Sequence, residues 1–192
     1  GIINSYLALC SSLMGVTITS PIFYKGKLRV EQIINVSISG GIAIGGFCYM
    51  CAYNWAAMIV GLLTGIICTI AYALLEPATK NCGYSDTFGI IFNHGLAGLL
   101  GGIFSSIFIA AIGKSDQKDF EIFYKTGYNS YKQGLLQIAA VFITIGIAAG
   151  SGVIAGYIIK VCNCHNIVRY FDDTEYIKEP ERELFPWSDE II

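Results

Sequence analysis

Residues 88–112 read FGIIFNHGLAGLLGGIFSSIFIAAI and decide the fold. The stretch is apolar over a length that can cross a bilayer, which takes about 20 helical residues. It also contains His94. A histidine inside such a helix is rare and energetically unfavourable, so it is by default a functional-site hypothesis. The stretch therefore predicts a membrane-spanning helix and makes His94 a candidate functional residue.

Helical spacing places small residues on the same face as His94. Gly98, Gly101 and Ser105 follow it at i+4, i+7 and i+11. A face with almost no side chains permits either close packing against another helix or an open passage beside the imidazole ring. Spacing alone leaves both interpretations open: His94 either packs and bonds to a neighbour, or lines a passage.

Apolar stretches of similar length recur along the chain. The 192 residues are 54% hydrophobic and only 14% charged, which predicts an all-α polytopic membrane protein and excludes a soluble domain. We predict a transmembrane domain over residues 1–161, with about five spans of membrane-crossing length. The predicted spans are residues 2–20, 33–53, 55–75, 88–112 and 133–161.

Glycines at four-residue spacing recur inside these spans. Span three contains Gly61 and Gly65, and span five contains two such pairs between Gly146 and Gly156. In membrane helices this spacing is typical of faces that approach another helix closely. Span two contains Gly40-Gly41 and Gly45-Gly46 at a similar spacing, so all three spans are predicted to pack through these glycines.

Residues 162–192 form a polar tail with eight of the 14 acidic residues. With five spans, the side of the tail holds eight of the 12 Lys and Arg residues, and the positive-inside rule then predicts a cytoplasmic tail. The membrane is expected to be the plasma membrane or that of an internal organelle. Because the chain opens with Gly1 inside an apolar stretch, we interpret it as the C-terminal part of a longer protein.

The sequence contains no pattern typical of an enzyme. The glycine-rich stretches lie inside apolar helices and lack the Lys-Ser/Thr that completes a phosphate-binding loop. One intramembrane histidine without a nucleophile or acidic partner makes a poor active site. Cys162, Cys164 and His165 lie together but lack a second ligand pair, so we interpret them as ordinary juxtamembrane residues. No cofactor, metal or nucleic-acid partner is expected.

The polar content of the spans favours a small neutral solute. No Asp, Glu, Lys or Arg lies well inside a predicted span, whereas a channel for a bare ion needs rings of charge or carbonyl groups. A neutral imidazole offers one donor and one acceptor nitrogen and can exchange a proton. His94 can therefore hydrogen-bond a molecule such as ammonia.

Three stretches resemble the Amt/Rh ammonium transporter family, and its Rh branch most closely. Residues 86–102, DTFGIIFNHGLAGLLGG, are similar to an Rh signature of Asp-Thr, His-Gly, small residues and Gly-Gly. Residues 32–45, QIINVSISGGIAIG, and residues 171–180, FDDTEYIKEP, resemble two further Rh motifs. The matches occur in order across nearly the whole chain, which is identified as the C-terminal half of an Rh-type member.

The resemblance implies the family's inverted-repeat fold of about 11–12 helices and a homotrimer in which each subunit has its own pore. It implies that ammonium loses a proton and crosses as ammonia. His94 matches the second of two pore histidines, and Ile90 and Ile38 match aliphatic positions of the inner pore. Asp86 matches an acidic residue at the helix start, where we favour helix capping over substrate binding.

The chain also departs from the Rh pattern. Rh motifs often carry a further histidine three residues before the second pore histidine, and that position is Ile91 here. The span with the first pore histidine is absent, so the expected partners are membrane lipid and an N-terminal half of the same protein. The alternatives are a structural subunit or remnant without flux, and a channel for carbon dioxide or another small gas.

Overall fold

A computed structural model describes residues 1–51, 53–82, 86, 89–112 and 129–162. Every regular element in these residues is helical, which confirms the predicted all-α class. The elements are α1 (Ile2–Phe23), α2 (Val30–Gly45), α3 (Asn54–Asn81), a π-helical turn (Ile91–Leu96), α4 (Ala97–Ile112) and α5 (Ser130–Cys162). The acidic tail and most of the stretch between α4 and α5 lie outside the described residues.

Helices α1, α2 and α3 pack against one another through small residues. Ala8 of α1 is fully buried, and its carbonyl group faces both Gly40 of α2 and Gly61 of α3. A Cβ atom on either glycine would collide with that carbonyl oxygen, and a Cβ on Gly65 would lie 2.5 Å from the carbonyl oxygen of Ser12. The predicted close packing through Gly61 and Gly65 is confirmed.

Helix lengths differ from the predicted spans at several ends. Helices α1 and α3 continue through Pro21 and Pro77, where the sequence predicted them to stop. Helix α2 has 16 residues and ends at Gly45, well before the predicted end at Tyr53. Four helical segments of the described chain are long and apolar enough to cross a membrane, and α2 is shorter than these.

Tertiary hydrogen bonds explain why α2 ends early. The amide Nδ2 of Asn4 donates to the carbonyl oxygens of Cys48 and Cys51, at 3.0 and 2.6 Å. These carbonyls follow the Gly45-Gly46 pair, which stabilises a helix poorly. The segment after α2 is therefore folded into a turn against α1 instead of continuing as a helix.

A polar cluster joins the opposite ends of the same three helices. Glu76 of α3 is buried and pairs with Arg29 at 3.4 Å, while Arg29 also contacts Glu31 at 3.1 Å. Gln32, fully buried, accepts from the Ser20 hydroxyl at 3.0 Å. Because the last two turns of α3 were predicted to be a connector, the sequence did not indicate a buried acid here.

The part of helix α5 before Ala149 contacts α4. The Ser106 hydroxyl donates to the carbonyl of Gly134 at 2.7 Å, and a Cβ on Gly102 would collide with Val141. From Ala149 onward α5 belongs to a separate compact unit. Of the glycines predicted to pack in this helix, Gly146 has open space at its Cβ position within the unit of residues 1–148. Gly150, Gly152 and Gly156 have open space at theirs within the described part of their own unit.

We expect Gly61→Ala to destabilise the protein by about 1–3 kcal/mol, as overpacking in a filled interior does. The added methyl group collides with the Ala8 backbone, which cannot move aside as a flexible side chain would. Thermal unfolding in detergent measures the effect. Gly45→Ala is the control because nothing lies within 4 Å of its Cβ position. Equal unfolding temperatures for the two variants would contradict the packing described here.

Candidate functional site

His94 lies in the π-helical turn, not in a regular α-helix. Its carbonyl oxygen accepts from the backbone N–H of Ala97, where α4 begins. Isolated π-helical turns are uncommon and occur frequently at functional sites, because the widened turn changes the direction of its side chains. The sequence predicted α-helix here and carried no signal for the wider turn.

Asp86 holds the start of this segment. Its Oδ1 accepts from the backbone N–H of Ile90 at 2.9 Å, and its Oδ2 accepts from that of Ile91 at 2.8 Å. Only 8% of Asp86 is exposed. A carboxylate that accepts from the first free N–H groups of a helix is a capping group, and it also opposes the positive end of the helix dipole. Asp86 therefore occupies a capping position.

Gly89 lets the backbone just before the π-helical turn approach α3 closely. Its φ of +65° is a conformation that residues with a Cβ rarely adopt. A Cβ there would lie 2.9 Å from the ring of Tyr72, which also stacks at a tilt on Phe92 with 5.1 Å between centroids. Tyr72 and Phe92 are buried. The π-helical turn is thus held by a carboxylate at its start and by the contact of its Phe92 with Tyr72 of α3.

A cavity of about 580 Å³ lies beside His94. Its walls come from the end of α2, the π-helical turn, α4 and the part of α5 before Ala149. The lining residues are Ile42, Ala43, Gly46, His94, Gly95, Gly98, Leu99, Gly101, Gly102, Ser105, Gln137, Ala140, Val141, Thr144, Ile145 and Ala148. None of these lining residues, all from the described part of the chain, is an acid, a lysine or an arginine. We call this space the His94 cavity.

The structure brings four predicted residues together in this wall: His94, Gly98, Gly101 and Ser105. Nothing lies within 4 Å of a Cβ built on Gly98, whereas a Cβ on Gly101 would collide with the carbonyl of Ala43. The face of small residues on α4 therefore combines the two arrangements that its spacing allowed, an open passage and close helix packing. It leaves open space next to the imidazole and packs against α2 one turn further along.

Ile90 and Ile38 lie outside the His94 cavity. Both are exposed in this chain, at 56% and 48% of their surface. The α-helical spacing that placed Ile90 one turn before His94 does not hold in a π-helical turn, whose hydrogen bonds span five residues. Their assignment to the pore stays a prediction.

Sequence reasoning missed the contribution of α5 to the cavity. Gln137 and Thr144 both line it. They are two helical turns apart in an otherwise apolar helix, so a polar face at that spacing was detectable in the sequence. Together with Ser105 they give the cavity neutral hydrogen-bonding groups beyond the imidazole.

Metal-ligating side chains do not cluster in the part of the chain that the structure describes. Cys162 ends α5 and is exposed, whereas Cys164 and His165 lie outside the described residues. The interpretation of these three residues as ordinary juxtamembrane residues stays a prediction.

Comparisons with known proteins assign the family. The model of the Ammonium Transporter Family matches residues 1–176. The chain belongs to the ammonium transporter family. The resemblance to Amt/Rh proteins is thereby confirmed, and with the four long apolar helices it makes the chain an integral membrane protein.

Two similar proteins and one similar solved structure are Rh-type. Ammonium transporter Rh type C of Rattus norvegicus is 31% identical over 93% of this chain, and that of Homo sapiens is 30% identical over 93%. The solved structure of Rh50 from Nitrosomonas europaea, a member of the Rhesus protein family of channels, superimposes with a TM-score of 0.72 at 30% identity over 95% of this chain. The chain spans only 38%, 40% and 43% of these three proteins, respectively.

We expect Asp86→Ala to destabilise the start of the π-helical turn by about 0.5–2 kcal/mol, the usual effect of removing a helix cap. Asp86→Asn keeps one acceptor oxygen and should lose less stability. Thermal unfolding of both variants in detergent gives the ranking. An Asp86→Ala protein as stable as the unmodified one would show that the two hydrogen bonds do not hold the turn.

Proposed function

We propose that this chain supplies part of a transmembrane pore for ammonium and ammonia, with His94 as a pore residue. The observation that carries the proposal is the His94 cavity, which combines one imidazole with largely apolar walls. Membership of the ammonium transporter family supports the substrate. The names of the Rh type C relatives and of the Rhesus channel family agree with it.

The chemistry of the cavity favours ammonia over the ammonium ion during passage. The described residues of the wall offer no carboxylate to replace the water that an ammonium ion would lose. Moving an uncompensated charge into an apolar medium is strongly unfavourable. Ammonia is neutral and needs only single hydrogen bonds. His94 accepts through one ring nitrogen and donates through the other, and it can pass a proton at the point where ammonium is converted.

The proposal requires further helices. The chain spans about 40% of the Rh type C proteins, and the cavity is walled here by only four helical segments. We propose that an N-terminal half of the same protein closes the pore and provides a second histidine, and that three such subunits form a trimer. Ile90 and Ile38, exposed and aliphatic, would continue the pore beyond the cavity.

The proposal is tested by expressing the complete gene in cells that lack ammonium uptake. Growth on low ammonium should return, and uptake of labelled methylammonium should rise above that of control cells. If the complete protein reaches the membrane and restores neither, the alternative of a structural subunit without flux is favoured. Carbon dioxide permeability without ammonium uptake would instead favour a gas channel.

We expect His94→Ala to lower methylammonium uptake at least tenfold while leaving the protein in the membrane. The truncation removes the imidazole donor and acceptor, whereas Ser105, Gln137 and Thr144 stay in the wall. It disturbs little packing, because His94 is exposed to open space. Uptake in cells with matched surface expression is the measurement. Unchanged uptake would show that the imidazole takes no part in passage.

We expect Gly98→Leu to block uptake without unfolding the protein. The leucine side chain enters open space beside His94 and fills part of the cavity. Gly45→Leu is the matched control, because Gly45 also has open space around its Cβ position but lies outside the cavity. Uptake and the thermal unfolding temperature are measured for both. Full uptake by Gly98→Leu would show that solute does not pass this position.

A further inference from the structure

Cys48 and Cys51 lie in the turn between α2 and α3, which we call the cysteine turn (residues 47–51). The backbone N–H groups of Met50 and Cys51 both donate to the carbonyl oxygen of Phe47, at 2.9 and 3.0 Å. The segment is thus a single helical turn, in which side chains three positions apart are neighbours. Cys-X-X-Cys is the spacing of redox-active cysteine pairs. The scattered spacing of the seven cysteines argues against a disulfide framework but not against one local bridge.

Asn4 of α1 holds the two cysteines at a fixed separation. Its buried amide donates to the carbonyl oxygens of Cys48 and Cys51, at 3.0 and 2.6 Å. A single amide group bound to both carbonyls holds the backbone of both cysteines against the same point of α1. Ordering the backbone in advance reduces the entropy lost when the two sulfur atoms are joined.

The two thiols differ in accessibility. Both are free in the structure, with Cys48 partly exposed and Cys51 only 4% exposed. Cys51 donates its S–H to the carbonyl oxygen of Tyr53 at 3.3 Å, and burial raises the pKa of its thiol. Cys48 is therefore the thiol that meets a dissolved reactant first, and Cys51 is placed to react second.

Charge distribution places the cysteine turn away from the cytoplasm. Residues 46–53 contain no lysine or arginine, whereas the connector at the other end of α2 carries Lys25, Lys27 and Arg29. The positive-inside rule assigns the basic connector to the cytoplasmic side and the cysteine turn to the opposite side. Compartments on that side are oxidising, and disulfides persist in them.

We propose that Cys48 and Cys51 are a redox pair that closes a disulfide across the cysteine turn by exchange with a low-molecular-weight disulfide. The Cys48 thiolate attacks one sulfur of that disulfide and displaces the other as a thiol. Cys51 then gives up its proton and attacks the sulfur of Cys48, which releases the second thiol. The two protein sulfurs are oxidised, the reactant is reduced to two thiols, and these thiols take up the two protons.

The test uses the complete protein in membrane vesicles exposed to oxidised glutathione, with reduced glutathione in a parallel sample. Each sample is denatured in excess alkylating agent, then reduced and treated with a second agent of different mass. We expect mass spectrometry to find the second label on both Cys48 and Cys51 after oxidised glutathione, and the first label on both after reduced glutathione. Cys10→Ser, which removes an exposed cysteine of α1, should leave this result unchanged.

Three results would overturn the proposal. In the first, both cysteines carry the first label after oxidised glutathione. In the second, Cys48 carries the second label while Cys51 carries the first, which is the result that a stable mixed disulfide of Cys48 with glutathione would give. In the third, Cys51 of a Cys48→Ser variant still takes the second label, which would show another partner. If that variant does not fold, the labels on the unmodified protein alone decide whether Cys48 and Cys51 form a disulfide. None of these measurements depends on transport.

Discussion

The close approach of three backbones at Ala8 is the constraint on which the helical packing depends. In a bilayer the lipid tails are as apolar as the side chains, so helices associate through close van der Waals contact and hydrogen bonds. Gly40 and Gly61 let α2 and α3 approach the Ala8 carbonyl from two directions. A larger residue at either glycine would separate α1 from a neighbour, and the walls built on α2 would move with it.

Buried polar groups fix the register of helices that small residues bring together. Ser12 donates to the Val36 carbonyl at 2.7 Å in the interior, and Gln32 accepts from Ser20 near one end. Asn4 binds two carbonyls near the other end. An unpaired polar group in the hydrocarbon region is strongly unfavourable, so a slip along α1 would break bonds at three levels. Glycine contacts alone would not specify the register in this way.

The helical class, the family and the glycine packing of α3 could be predicted, because they depend on composition and on spacing within one element. The π-helical turn could not, because it depends on Asp86 and on Tyr72 of another helix. The early end of α2 likewise depends on Asn4, far away in sequence. A buried acid at Glu76 was missed because Pro77 was taken as a helix end, although α3 continues through it.

The small residues of α4 show how one helix serves both packing and passage. Gly101 packs against the backbone of α2, whereas Gly98, one turn closer to His94, borders open space. Had both glycines packed, no cavity would remain beside the imidazole, and had neither packed, α4 would lose its contact with α2 there. Because the Cβ position of Gly101 is filled by the Ala43 backbone, α4 and α2 are as close as two backbones can come at this level. The cavity therefore begins where this contact ends, at Gly98, and its wall on that side is backbone and not a flexible side chain.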